Sequence, residues 1–152
     1  MVVEPLLIPE SVRPDPARAE RGHYPLWHEI PTRFGDLDPL GHVNNVAVNQ
    51  LYEESRVRFG QELQRRCGSA LHRLVLASMT VHYIAETYYP DPVEAGIGVA
   101  RIGRSSYALA QVLYQRGRCV GVADSTLVHA PVTGVLPLPG DVRAVLDELR
   151  LS

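Results

Sequence analysis

Lysine is missing altogether: all fifteen basic residues among the 152 are arginine. Without lysine the chain cannot form a Schiff base, offer a lysine general base, or build the lysine-containing phosphate loop of nucleotide-binding folds. Arginine, alanine, glycine and proline are plentiful, which fits a codon bias, but the chemical exclusion holds whatever its origin. Cysteine is nearly as scarce. Cys67 and Cys119 are isolated, without C-x-x-C spacing, so no disulfide framework and no zinc site is indicated. The six histidines show no H-x-x-x-H or H-E-x-x-H pattern, and no G-x-S-x-G elbow occurs. Histidine-based metal sites and serine-nucleophile hydrolysis therefore lack support. Neither sign of charge is in excess, the net charge being −2. That leaves no electrostatic footprint for nucleic acid or a membrane surface, although a few arginines suffice to hold a phosphate. No apolar run approaches the roughly 18 residues of a membrane helix. The N-terminal residues Glu4, Pro5, Pro9 and Glu10 surround a short apolar patch without the basic region of a secretory signal. A soluble cytoplasmic protein without membrane insertion is expected.

What is present suits one α+β domain, since the length allows a single sizeable core. Residues 1–24 carry Pro5, Pro9, Pro14 and Pro16 and show neither helical nor strand periodicity, so an extended N-terminal arm is expected, with residues 25–152 as the domain. A strand over Leu26–Phe34 is expected at an edge, because Pro31 cannot donate to a ladder. Asn44 and Asn45 then suit a helix start, and Val48, Leu51, Tyr52, Ser55, Phe59 and Leu63 recur at helical spacing. Glu53 with Arg56 and Glu54 with Arg58 suit its solvated side. Gly60 allows a break, and Cys67-Gly68 ends the helix. From Leu74 to Pro131 the chain reads as four strands joined by tight turns at Asp91-Pro92, Gly103–Ser106 and Gly117. Gly96 and Gly98 mark a bulge or a close backbone approach. Val142–Leu149 reads as a short closing helix. Short connections make the pairing antiparallel, and a single apolar-striped helix must bury itself against one sheet face.

One segment carries chemistry: Arg33-Phe34-Gly35-Asp36-Leu37-Asp38-Pro39-Leu40-Gly41-His42-Val43-Asn44-Asn45. Two carboxylates precede a helix start, whose unpaired N–H groups and dipole favour negative charge. The same amides can stabilise the oxyanion formed when an ester or thioester carbonyl is attacked. By spacing alone, a capping aspartate followed by a turn is the favoured explanation of the segment.

This stretch, with Tyr52-Glu53-Glu54-Ser55-Arg56 one helix later, resembles the 4-hydroxybenzoyl-CoA thioesterase-like family of hotdog proteins. The resemblance extends over residues 26–149, through Val81-His82-Tyr83 and Ile102-Gly103-Arg104-Ser105-Ser106-Tyr107. It implies a hotdog fold, an antiparallel sheet wrapped around one long central helix, and hydrolysis of an acyl-CoA or acyl-carrier-protein thioester. Asp38 takes the catalytic place by that resemblance, as nucleophile or as base for water, and the backbone N–H of Asn45 the carbonyl-polarising place. Asp36 and His42 are expected to order the loop. His42, Asn44, Tyr83, Arg104, Ser105 and Ser106 are the expected substrate contacts, the last three at coenzyme A phosphates or pantetheine. Arg101, Arg116 and Arg118 are weaker candidates of the same kind. A homodimer or homotetramer is implied, with no cofactor and no metal. Two other readings keep the fold: a hydratase or dehydratase using Asp38 with His42, and a non-catalytic acyl-thioester-binding module. The D-x-N-x-x-H pattern of the former lacks its asparagine here, and its spacing differs.

Overall fold

Pro31 ends the first strand early. In the computed structural model, which describes residues 9–68 and 73–152, strand β1 covers Leu26–Ile30 and a 3-10 turn at Phe34–Asp36 follows. The expected continuation to Phe34 is absent because Pro31 has no N–H to place in the ladder. Helix α1 spans Asn45–Arg66 without a break at Gly60. Asn44 caps it, its side-chain oxygen accepting from the Ala47 N–H at 2.9 Å. The apolar stripe behaves as its period demands: Val48, Leu51, Tyr52, Ser55, Phe59 and Leu63 are all buried, with Ala47 beside them. On the solvent side Glu54 pairs with Arg58 at 2.9 Å. Arg56 does not pair with Glu53. Its guanidinium turns inward to the Met79 sulfur (3.3 Å) and the Gln111 side-chain oxygen (3.5 Å) instead.

Four strands follow, β2 (Leu74–Tyr83), β3 (Val93–Ile102), β4 (Ser106–Gln115) and β5 (Arg118–His129), and then helix α2 (Gly140–Glu148). They form one antiparallel sheet in the order β1-β3-β4-β5-β2. The β4–β5 hairpin turns through Arg116 (φ 52°) and Gly117 (φ 75°), the two left-handed residues that a tight primed turn requires. Alternation then assigns the faces. Val93, Ala95, Ile97 and Val99 of β3, with Tyr107, Leu109 and Leu113 of β4, pack with α1 and α2. A long helix wrapped by one antiparallel sheet is the hotdog arrangement.

The outer face of the sheet is covered by the chain termini. A Cβ at Gly96 would lie 2.8 Å from the Trp27 ring, and one at Gly98 would lie 2.7 Å from Pro25. These glycines therefore permit close approach, while the register shift of β3 falls between Val99 and Arg101. Residues 9–24 run as three 3-10 turns, of which Pro16–Ala19 lies against β5. Arg18 pairs with Asp124 at 2.8 Å, and the Arg21 guanidinium lies 4.1 Å over the Trp27 ring. Ser152 at the other terminus donates its N–H to the His23 carbonyl. Among the described residues no helix is long and apolar enough to cross a membrane.

Candidate active site

The loop that carries Asp38 is closed by its own backbone. Leu37 and Val43 form an antiparallel bridge, and the Asp38 N–H donates to the His42 carbonyl at 2.8 Å. The return is possible because Gly41 sits at φ +82°, where a side chain would be strained. Within this ring, Asp38 Oδ1 accepts from the N–H of Leu40 (2.9 Å) and of His42 (3.3 Å). Oδ2 accepts nothing from the described residues. One carboxylate oxygen is thus anchored by two backbone N–H groups, and the other makes no bond among the described residues.

Asp36 has a different office. It is buried, and its carboxylate accepts from the Arg33 guanidinium (2.8 Å) and the Arg33 N–H (3.0 Å). Those bonds hold the Arg33 guanidinium above its usual pKa range. The Asp36 carbonyl meanwhile accepts from both the N–H and the side-chain amide of Asn44, each at 2.9 Å. Asp36 thereby ties the loop to the helix cap, and Asn44 is consumed in that tie.

The free donors are the next two residues. Ala47 N–H is satisfied by the Asn44 side chain and Val48 N–H by the Asn44 carbonyl. The N–H groups of Asn45 and Val46 belong to the first turn, where no intrahelical acceptor exists. No bond among the described residues takes their place. Both residues are exposed, above a groove of about 480 Å³ lined by Arg33, Gly35, Asp36, Asn44 and Gln50 among others. A larger groove of about 530 Å³ runs along the flank of α1 facing β1. Neither is lined by Asp38.

Tyr83 also reaches this end of the fold. Its hydroxyl accepts from the Asn49 side-chain amide at 2.8 Å, and the same amide donates to the Asn45 carbonyl. His42 directs Nε2 to the Glu86 carboxylate at 3.2 Å, with its ring edge-on to Tyr88. Among the described residues the His42 ring makes no bond to the Asp38 carboxylate, and its Nε2 faces Glu86. Asn49, Glu86 and Tyr88 carry no sequence signal of their own, since the contacts that bring them to this site, with Tyr83, His42 and Gln115, join distant stretches of the chain.

Arg104, Ser105 and Ser106 are elsewhere. They form the β3–β4 turn, where Ser106 pairs with Val128 of β5 and Leu74 of β2 pairs with His129. Asp38 and His42 sit by the opposite end of the sheet, where Val43 N–H bonds the Thr87 carbonyl and Ala85 N–H bonds Val120. The ten residues of β2 separate the two ends by about 30 Å, at roughly 3.3 Å per residue. The turn's carbonyls are held by neighbours, Gly103 by Arg143 and Arg104 by the Leu138 N–H. Arg104 is exposed at this far edge, out of reach of Asp38 in the same protomer. Of the weaker arginines, Arg116 is paired with Asp91. Among the described residues no group of three or more His, Cys, Asp or Glu side chains is placed to hold a metal ion.

Residues 32–146 match the family profile of the thioesterase-like superfamily. Solved structures agree in fold. A predicted thioesterase from Bacillus stearothermophilus is 27% identical with a TM-score of 0.75, over 83% of this chain and 96% of that one. A thioesterase from Thermus thermophilus, solved with coenzyme A and Zn, is 30% identical with a TM-score of 0.74, over 84% of this chain and 95% of that one. YsmA, an uncharacterized protein of Bacillus subtilis (strain 168), is 23% identical over 86 residues, 57% of this chain and 58% of its own length.

Proposed function

Because this chain belongs to the thioesterase-like superfamily, we propose that it hydrolyses acyl thioesters of coenzyme A, with Asp38 as the catalytic carboxylate. The observation that carries this reading is the anchored Oδ1 and free Oδ2 of Asp38 in the loop that leads into the unpartnered N–H groups of the α1 start. A thioester carbonyl polarised by the Asn45 N–H gains oxyanion stabilisation as it is attacked. If Oδ2 attacks directly, an acyl–oxygen bond forms, the carbon–sulfur bond breaks and the thiolate leaves. Water then cleaves the anhydride and restores the carboxylate. If Oδ2 instead takes a proton from water, the hydroxide adds to the carbonyl and the same thiolate departs. Neither route needs a protonated leaving group, so His42 is not required as an acid. The coenzyme A bound by the Thermus relative supports coenzyme A over acyl carrier protein as the carrier.

The working unit in this reading is a homodimer paired through β2. This strand is the long edge of the sheet, and its ten residues contain no Pro, Arg, Asp or Glu to blunt it. Antiparallel pairing of two β2 edges lays Leu74 of one protomer against Tyr83 of the partner subunit. That brings the Arg104–Ser106 turn of one protomer toward the partner's Asp38, reuniting candidates that one chain holds about 30 Å apart. Arginine's forked donors suit the phosphates of coenzyme A there.

The test is free-thiol release from short, long and aromatic acyl-CoAs. Wild type is expected to release thiol from at least one. Asp38→Asn is expected to release none while keeping its oligomeric state and Tm. Thiol release by Asp38→Asn at the wild-type rate refutes the assignment.

A further inference from the structure

We propose that Glu86 is a positioning residue for Asp38, acting through His42; the proposal rests on the reading of Asp38 as the catalytic carboxylate. The support begins in the core. Gln115 is 2% exposed, and its side-chain amide clamps the Tyr88 backbone in both directions, accepting from the N–H at 2.8 Å and donating to the carbonyl at 2.7 Å. It donates to the Asp91 carbonyl as well. Tyr88 is thus fixed by a group that cannot itself move.

From there the chain of contacts runs outward to the loop. The Tyr88 hydroxyl donates to Glu86 Oε2 at 2.9 Å, a bond that raises the Tyr88 pKa. The same oxygen meets His42 Nε2 at 3.2 Å. The His42 ring stands edge-on to the Tyr88 ring, centroids 5.2 Å apart at 89°. The Arg116 guanidinium lies 4.9 Å from the centre of the Tyr88 ring and pairs with Asp91. Glu86 is therefore the carboxylate that accepts from the Tyr88 hydroxyl and faces His42 Nε2.

What this fixes is the peptide of His42. Its N–H is the longer of the two donors to Asp38 Oδ1, at 3.3 Å, and its carbonyl accepts from the Asp38 N–H. Val43 follows with its N–H on the carbonyl of buried Thr87. The backbone and the His42 side chain thus bind residues 38–43 to residues 86–88 at separate points. Removing Glu86 frees the imidazole from its platform, loosens the 3.3 Å donor, and lets the free Oδ2 of Asp38 swing. Displacements of about 1 Å at a reacting group cost up to about 100-fold in rate.

The test is a cycle of variants in the intact chain, read as kcat and KM for thiol release from the best acyl-CoA. Glu86→Ala is expected to lower kcat about 10-fold with KM within about twofold, because positioning acts on the bound state. Glu86→Gln, which keeps the length of the side chain and an oxygen beside His42 Nε2, is expected to retain about half the wild-type kcat. In a His42→Ala background, Glu86→Ala is expected to add less than about twofold, since the two residues act as one unit. Wild-type kcat in Glu86→Ala overturns the proposal, and so does a full 10-fold further loss in the His42→Ala background. If Glu86→Ala does not fold, Tyr88→Phe keeps the ring and removes the donor to Glu86. It is then expected to lower kcat about threefold with KM unchanged, and wild-type kcat there overturns the proposal. An active Asp38→Asn variant defeats the underlying site reading instead, whatever Glu86 does.

Discussion

Gly121 and Tyr52 make a test of how α1 is seated on the sheet. Gly121 lies in β5 opposite Tyr83, directly beneath the helix. A Cβ there would stand 2.6 Å from the Tyr52 hydroxyl oxygen and 3.1 Å from the His82 carbonyl oxygen. Tyr52 is fully buried, so its ring cannot move aside, and its hydroxyl has no partner among the described residues. Gly121→Ala is therefore expected to cost about 1–3 kcal/mol as an overpacked core. For a chain of this size that is a Tm fall of roughly 2–12 °C, at about 2–4 °C per kcal/mol. Tyr52→Phe removes the closer clash and also removes a buried hydroxyl without a partner. Leaving such a group unpaired costs roughly 1–3 kcal/mol, so Tyr52→Phe alone is expected to be neutral or stabilising. In the Tyr52→Phe background Gly121→Ala then costs less by at least about 1 kcal/mol, a coupling readable by urea unfolding of the four proteins. An equal cost in both backgrounds refutes the packing account, as does a stable, unshifted Gly121→Ala.

Burial also raises the pKa of the Tyr52 and Tyr107 hydroxyls. An unfolded tyrosine ionises near pH 10 and these remain neutral when folded, so stability is intact below about pH 10 and falls above it. The slope is roughly 1.4 kcal/mol per pH unit for each, and Tyr52→Phe is expected to remove one share of it in denaturation series from about pH 9 to 12. Deleting residues 1–24 removes the Arg18–Asp124 pair, the Arg21 guanidinium over Trp27 and Tyr114, and Tyr24 from its cluster with Val112 and Val122. The truncated chain is expected to melt earlier and to bind a hydrophobic dye, and unchanged melting contradicts the arm's role as a cover. Ala77→Lys with Thr80→Lys, both exposed, places like charges directly opposite each other across two β2 edges paired with Leu74 against Tyr83. Sedimentation is expected to show single chains that release no thiol, and a fully active single chain contradicts the two-chain site.

Legibility followed the range over which each signal acts. The α1 stripe from Val48 to Leu63 was readable because burial on one helix face leaves its period in the residues. β3 and β5 begin and end where expected, because Asp91-Pro92 and Gly117 punctuate the chain locally. Local rules misled where a partner lay elsewhere. Arg56 has the spacing for Glu53 but finds Met79 and Gln111 across the interface. The Asp38 loop and the helix cap were legible as a motif. The Gln115–Tyr88–Glu86–His42 support was not, because its members come from three stretches of chain that only the fold joins. Nor does a hairpin motif reveal that Arg104–Ser106 lies a strand's length from Asp38 within one protomer.

Cleavage of a thioester by the free Asp38 oxygen is the step on which the proposed function stands. Stopped assays of thiol release across acyl-CoAs of different chain type, with wild type and Asp38→Asn side by side, test it most directly. Wild type is expected to turn over, and Asp38→Asn to lose about 1000-fold or more in kcat at unchanged Tm and oligomeric state. A variant that keeps a tenth or more of the wild-type rate contradicts it, and so does a wild type that frees no thiol from any acyl-CoA or acyl-carrier-protein thioester.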